Sequence, residues 1–239
     1  MDYEGASVAE IAILHPSAVP VFNKYHIDFC CGGKLEFKKA CEKVGVNPDE
    51  VIHELIHSEA NYLPGTIRFD TWDTSLLSDF IVQHHHTYVK KMIPVILELL
   101  ERVCDAHGET RSELFTLKAT FETLGNELMD HMGKEEQILF TGIKQLANVS
   151  NTKYSDHSIF SSLLVPITMM EDEHTQAGDL IKSIRMLTGN YTPPTEACPT
   201  YKVTYKRLEE FDQDLMQHIH LENNVLFVKV RDHLMLSVL

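Results

Sequence analysis

Apolar residues recur along this chain at intervals of three and four, the spacing of one helix face, and no useful stretch alternates as a strand requires. Up to residue 60 the pattern predicts short helices. Ser7 to Leu14 is the first, stopping before Pro16, and Pro16 to Tyr25 is the second. Leu35 to Val44 is the third, ended by Gly45. Asn47-Pro48-Asp49-Glu50 then supplies an N-cap, a proline at the first helical position and an acidic first turn for a fourth, ending near Ala60. Asp28-Phe29-Cys30-Cys31-Gly32-Gly33-Lys34 reads as a turn, and Asn61 to Trp72, with Pro64 and Gly65, as a linker.

Four longer periodic stretches follow. They run from Thr74 to Asp105, from Thr110 to Ala147, from the end of a polar loop (Asn148 to Asp156) to Leu187, and from Thr200 onward. Thr110 and Glu113 form a candidate capping box for the second. Gly189 to Pro199, with three prolines, separates the last two. Each stretch has about 30 residues, roughly 45 Å of helix. The expected class is all-α: an antiparallel four-helix bundle at 73–239, preceded by a small helical domain at 1–60 and a linker at 61–72.

Composition narrows the function. The chain has 239 residues, 44% of them apolar, enough for a core. The net charge of -14 argues against nucleic acid and against an anionic membrane surface as partners. No apolar run reaches membrane-spanning length, and the acidic N-terminus lacks a signal-peptide pattern, so a cytoplasmic protein is expected. Five scattered cysteines do not form a disulfide framework. Fourteen histidines, several among carboxylates, prompt a search for a metal site.

The search finds a repeat. Glu127-Leu-Met-Asp-His131-Met-Gly-Lys-Glu135-Glu-Gln-Ile-Leu-Phe140 and Asp214-Leu-Met-Gln-His218-Ile-His-Leu-Glu222-Asn-Asn-Val-Leu-Phe227 share Leu-Met-x-His-x-x-x-Glu-x-x-x-Leu-Phe. Two copies of a helical hairpin are implied, each with a lone histidine on its first helix. His86 precedes His131 by 45 residues (131 − 86), and His174 precedes His218 by 44 (218 − 174). Among His84, His85 and His86 the spacing favours His86, with His85 the alternative; His84 and His220 are expected to be solvated or to stand behind the ligands.

Residues i and i+4 share a helix face, so His131 with Glu135, and His218 with Glu222, can each reach one centre. A lone His-x-x-x-Glu is usually a surface pair, but two matched copies with matched partner histidines are not. The candidate ligands are therefore His86, His131, Glu135, His174, His218 and Glu222. Four imidazoles and two bridging carboxylates suit two metal ions with an oxo or hydroxo bridge and a position left open. That donor set favours iron or manganese over structural zinc, and two iron ions are expected. Glu127 and Glu173 lie close enough in sequence to orient an imidazole or pass protons or ions. The methionines of the ligand helices read mostly as core filler.

These residues resemble a known family, the RIC (repair of iron centres) proteins of the ScdA/YtfE type. Asp28-Phe29-Cys30-Cys31-Gly32-Gly33-Lys34 is similar to that family's DFCCGGK signature, and the two His-x-x-x-Glu blocks to its di-iron bundle. The likeness covers nearly the whole chain and implies the same six ligands, with Glu127 and Glu173 at acidic positions near the site. Phe227-Val228-Lys229 departs from the Phe-Pro-Arg common in relatives. The resemblance implies repair of iron–sulfur clusters damaged by nitrosative or oxidative stress, iron donation, and a homodimer.

Cys30 and Cys31 precede a predicted helix and lie near Lys34, both of which favour a low thiol pKa, so the pair is a candidate redox or iron-transfer group. Using the same ligands, the alternatives are a haemerythrin-like binder or sensor of O2 or nitric oxide, and a nitric oxide reductase.

Overall fold

The computed structural model describes residues 3, 5–60, 67–149 and 157–236. Parts of the expected linker (61–66) and of the expected polar loop (150–156), and the last three residues of the fourth stretch, lie outside the described residues. Among the described residues the fold is all-α, with one isolated bridge between Ser7 and Glu36. The helices are α1 (Val8–Leu14), α2 (Ala18–Lys24), α3 (Phe37–Val44), α4 (Pro48–Ala60), α5 (Thr74–Ile81), α6 (Thr87–His107), α7 (Glu113–Lys134), α8 (Phe140–Val149), α9 (His157–Leu187), α10 (Pro199–His220) and α11 (Phe227–Leu236). Three π turns join them in pairs: Val82–His86 between α5 and α6, Glu135–Leu139 between α7 and α8, and Leu221–Leu226 between α10 and α11.

The chain forms two compact units, Met1–Ser78 with Met216–Leu239, and Asp79–Leu215. In the first, α1 starts at a capping box: Glu10 N–H donates to Ser7 Oγ while the Glu10 carboxylate accepts the Ser7 N–H. Gly45 ends α3 in the left-handed region (φ 75°), where a side chain would be strained. Phe22 packs against both Phe29 and Phe37 at the centre.

In the second unit the predicted stripes are the core. α6 buries Val89, Met92, Ile93, Ile96, Leu100 and Val103; α7 buries Leu114, Leu117, Phe121, Leu124 and Leu128; α9 buries Leu163, Ile167, Met170, Ala177, Ile181 and Ile184. α6 packs on α7, and α7 on α9. Phe211 of α10 meets Phe121 and Tyr88. Arg185 of α9 makes a two-pronged ion pair with Asp212 of α10 at 2.6 and 2.7 Å, and Tyr191 donates to the same carboxylate at 2.7 Å. The expected capping box at Thr110 does not form. Thr110 donates its hydroxyl to the His107 carbonyl, and α7 begins later, at Glu113, with Ser112 already helical and making no side-chain cap.

Candidate metal centre

The apolar stripes lead into the candidate ligands. On α7 the run Leu117, Phe121, Leu124, Leu128 continues to His131, which is 3% exposed and points inward with the rest. On α9, His174 takes the place between Met170 and Ala177 in the buried stripe. Glu135, His86 and Glu222 are each 0% exposed and His218 is 1% exposed. Ionisable groups this deep are stable only with strong partners.

In the second unit the partners are one another. The two oxygens of Glu135 face two imidazoles from different helices: Oε2 lies 3.3 Å from His86 Nε2, and Oε1 lies 3.3 Å from His131 Nε2. His174 Nε2 lies 2.9 Å from His131 Nε2. Three nitrogens and a carboxylate thus converge through the atoms that carry ligand lone pairs. In the first unit, His218 Nε2 lies 3.0 Å from Glu222 Oε1, the i, i+4 contact that the repeat predicts.

Behind the imidazoles stand two more carboxylates. His86 Nδ1–H donates to Glu136 at 2.7 Å, and Lys90 donates to the same oxygen at 2.6 Å. His131 Nδ1–H donates to Glu173 at 2.7 Å, and Lys134 to its other oxygen at 2.5 Å. Partial burial would raise both carboxyls, but the lysine and histidine partners outweigh it and hold each below the usual carboxylate range. Each carboxylate fixes the proton on Nδ1 and leaves Nε2 turned inward as a donor, an arrangement that metal-binding histidines use. The residues present therefore fit a cation held by nitrogen and oxygen.

The sequence pointed to Glu173 without saying which imidazole it would orient; the structure pairs it with His131 on another helix. Glu136 is a residue the sequence reading missed, and its only signal was the acidic doublet Glu135-Glu136. Glu127 is exposed and, with Asp130, Lys134 and Glu173, walls a cavity of about 160 Å3 beside His131 and His174. His85 is buried and its Nδ1–H donates to Asp214 at 3.0 Å, while His84 is exposed, as expected. His220 is not solvated: it is 2% exposed, its ring meets Phe29 edge-on, and its Nδ1–H donates to the Phe29 carbonyl at 3.3 Å. Burial lowers its pKa to about 4. Of the ligand-helix methionines, Met132, Met170 and Met216 are core, but Met129 and Met169 are exposed.

The expectation of a low thiol pKa at Cys30 is corrected. The next helix starts only at Phe37, and Lys34 is exposed. A hydrogen bond with Cys31, complete burial and the nearby Asp28 carboxylate all push the Cys30 thiol well above its ordinary value. Asp28 Oδ1 accepts the backbone N–H groups of Cys30, Cys31 and Gly32 at 3.2, 3.0 and 3.0 Å, which shapes the turn.

The bundle and its buried His/Glu sets define a class, and comparison with known proteins agrees. Residues 79–230, which include all six candidate ligands, match the hemerythrin HHE cation binding domain. Residues 4–59 match ScdA_N, a Domain of Unknown function (DUF542). The chain is 33% identical to the probable iron-sulfur cluster repair protein of Haemophilus influenzae, over 96% of this chain and 98% of that protein. It is 34% identical to the iron-sulfur cluster repair protein YtfE of Yersinia pseudotuberculosis, over 95% and 97%. For the protein of that name from Escherichia coli the identity is 36%, over 95% and 97%. The chain belongs to the ScdA/YtfE-type family of iron–sulfur cluster repair proteins. No helix among the described residues is long and apolar enough to cross a membrane.

Proposed function

We propose that this protein repairs iron–sulfur clusters damaged by nitrosative or oxidative stress, and that it does so by donating iron. The observation that carries this reading is the carboxylate of Glu135, fully buried and faced on its two oxygens by imidazoles of different helices, in a chain that aligns along nearly its whole length with named repair proteins. His86, His131, Glu135, His174, His218 and Glu222 would hold two iron ions. The internal repeat supports counting the second pair with the first, since it gives His218 and Glu222 the same sequence setting as His131 and Glu135.

The bound pair would supply a reservoir of exchangeable iron, the cargo of the repair. The chain's own part is to keep Nε2 of His86 and His131 deprotonated through Glu136 and Glu173, and to shield the buried end of the site from water. The cavity beside His131 and His174, with Glu127, Asp130 and Glu173 on its walls, offers acidic groups along which a departing cation can be passed. Damaged iron–sulfur proteins are the partners, and the protein works in the cytoplasm as a homodimer.

The test couples metal content to repair. Wild-type protein should carry about two irons per chain by mass spectrometry and restore activity to a nitric-oxide-damaged iron–sulfur enzyme. His131→Ala with His218→Ala should lose both. Iron-loaded protein that fails to repair but turns nitric oxide over would replace this reading with that of a reductase.

A further inference from the structure

The Cys30 sulfur has two sulfur neighbours in the first unit, apart from the imidazoles and carboxylates above. Cys30 Sγ lies 3.7 Å from Cys31 Sγ and 3.3 Å from Met216 Sδ. Cys30 and Met216 are buried, and Cys31 is half-buried. The turn that presents the thiols is held from both sides: Asp28 Oδ1 accepts three of its N–H groups, and Asn224 Nδ2 donates to the carbonyls of Phe29 and Cys30, each at 3.1 Å. Gly33 is wedged in the same place, where a Cβ would stand 2.7 Å from the Phe29 carbonyl oxygen. The sulfurs are therefore positioned by the fold itself.

The spacing and the chemistry agree. At a metal–thiolate bond of about 2.3 Å, three sulfurs arranged trigonally around one ion stand ~4 Å apart. The Cys30–Cys31 separation of 3.7 Å is close to that value, and the Cys30–Met216 separation of 3.3 Å would open by about 0.7 Å. A hard cation would call on Asp28, whose carboxylate lies within 4.8 Å of both thiols. But Asp28 Oδ1 already accepts three backbone N–H groups and the Cys30 thiol, so that oxygen is committed to holding the turn. The other neighbouring donor is a thioether, which suits the soft copper(I) ion, whereas zinc sites are built from thiolate, imidazole and carboxylate. The internal repeat sharpens the point. Met129 holds the place of Met216 in the other copy and is 45% exposed; only the copy that meets Cys30 buries its methionine.

We propose that Cys30, Cys31 and Met216 form a binding site for one copper(I) ion. On binding, the two S–H bonds break, two copper–sulfur bonds form, both protons leave to solvent, and the thioether donates a lone pair. Copper remains monovalent and no electron is transferred. Half-buried Cys31 is the side from which the ion enters.

The test is an anaerobic titration of the full-length, iron-loaded protein with copper(I) buffered by bicinchoninate, followed by copper K-edge absorption. One copper per chain with three sulfur neighbours is expected, with iron content unchanged. Met216→Leu, which keeps the volume of the side chain, should leave two sulfur neighbours and weaken binding about tenfold or more. Cys30→Ser with Cys31→Ser should abolish binding. Nitrogen neighbours, binding that survives the double cysteine variant, or a Met216→Leu protein equal to wild type would each overturn the proposal. Because copper coordination is read directly on wild-type protein, a failure of iron donation would leave this result untouched.

Discussion

Glu136 holds His86 from behind, 2.7 Å from its Nδ1, while Lys90 holds Glu136 from the opposite side. Glu173 and Lys134 repeat the arrangement at His131. Losing such a partner typically weakens a metal site by about 10–100-fold. Glu136→Gln and Glu173→Gln should each speed iron loss to a chelator by that order without unfolding the protein, and the double variant should lose iron faster than either.

Arg185, Asp212 and Tyr191 form a buried polar triad between α9 and α10. The Asp212 carboxylate raises the Arg185 guanidinium pKa despite burial, so the arginine stays charged. Asp212→Ala leaves that charge buried and unmatched, at an expected cost of about 3–5 kcal/mol in urea unfolding. Adding Arg185→Met should recover most of the loss.

Tyr88 is pushed up to about 12, chiefly by burial and then by Asp214 and Glu210. The folded protein keeps this proton where the unfolded chain, titrating near 10, loses it. The stabilising contribution is complete below pH 10 and fades as pH rises through about 12. The alkaline decline in stability should be shallower in Tyr88→Phe, by up to the slope of one proton.

Burial raises the Cys41 thiol to about 11. It is a thiol, not a thiolate, throughout the neutral range. Iodoacetamide at pH 8 should modify half-buried Cys31 and Cys198 first, read by peptide mass spectrometry. Labelling of Cys41 should trail and quicken about tenfold for each pH unit until about 11.

Gly33 has room for no side chain, since a Cβ would also stand 2.8 Å from that of Ala9. The Gly33→Ala substitution should cost about 1–3 kcal/mol through forced backbone movement. Gly45→Ala should be destabilising for a different reason, its positive φ, although nothing crowds it.

The helices and the inward places of the candidate ligands were legible in the sequence because both follow a period. The stripe through Leu117, Phe121 and Leu128 points at His131, and the duplicated block points at His218 and Glu222. Glu136 escaped because its role depends on which helix faces it, and nothing in the spacing says that His86 does. Glu173 was singled out, but the partner it turned to lies 42 residues away on another helix. The solvated alternative for His220 fails because it packs against the turn at Phe29, 191 residues earlier in the chain, a contact its own spacing does not show. The Cys30 thiol was misjudged because its surroundings are set by the neighbouring Cys31, by burial and by the Asp28 carboxylate, not by a helix terminus or Lys34.

The π turns at Val82–His86, Glu135–Leu139 and Leu221–Leu226 each accommodate one residue more than an α turn, and each contains one of the candidate ligands His86, Glu135 or Glu222. An extra residue rotates everything beyond it by about 100° around the helix axis. The apolar stripe on one side of each turn is thus out of phase with the stripe on the other, so a single-codon deletion there would turn a whole half-helix, not one side chain, away from its core. The reading of inward and outward positions has to restart at His86, Glu135 and Glu222, and the segments on either side are free to diverge as separate packing problems.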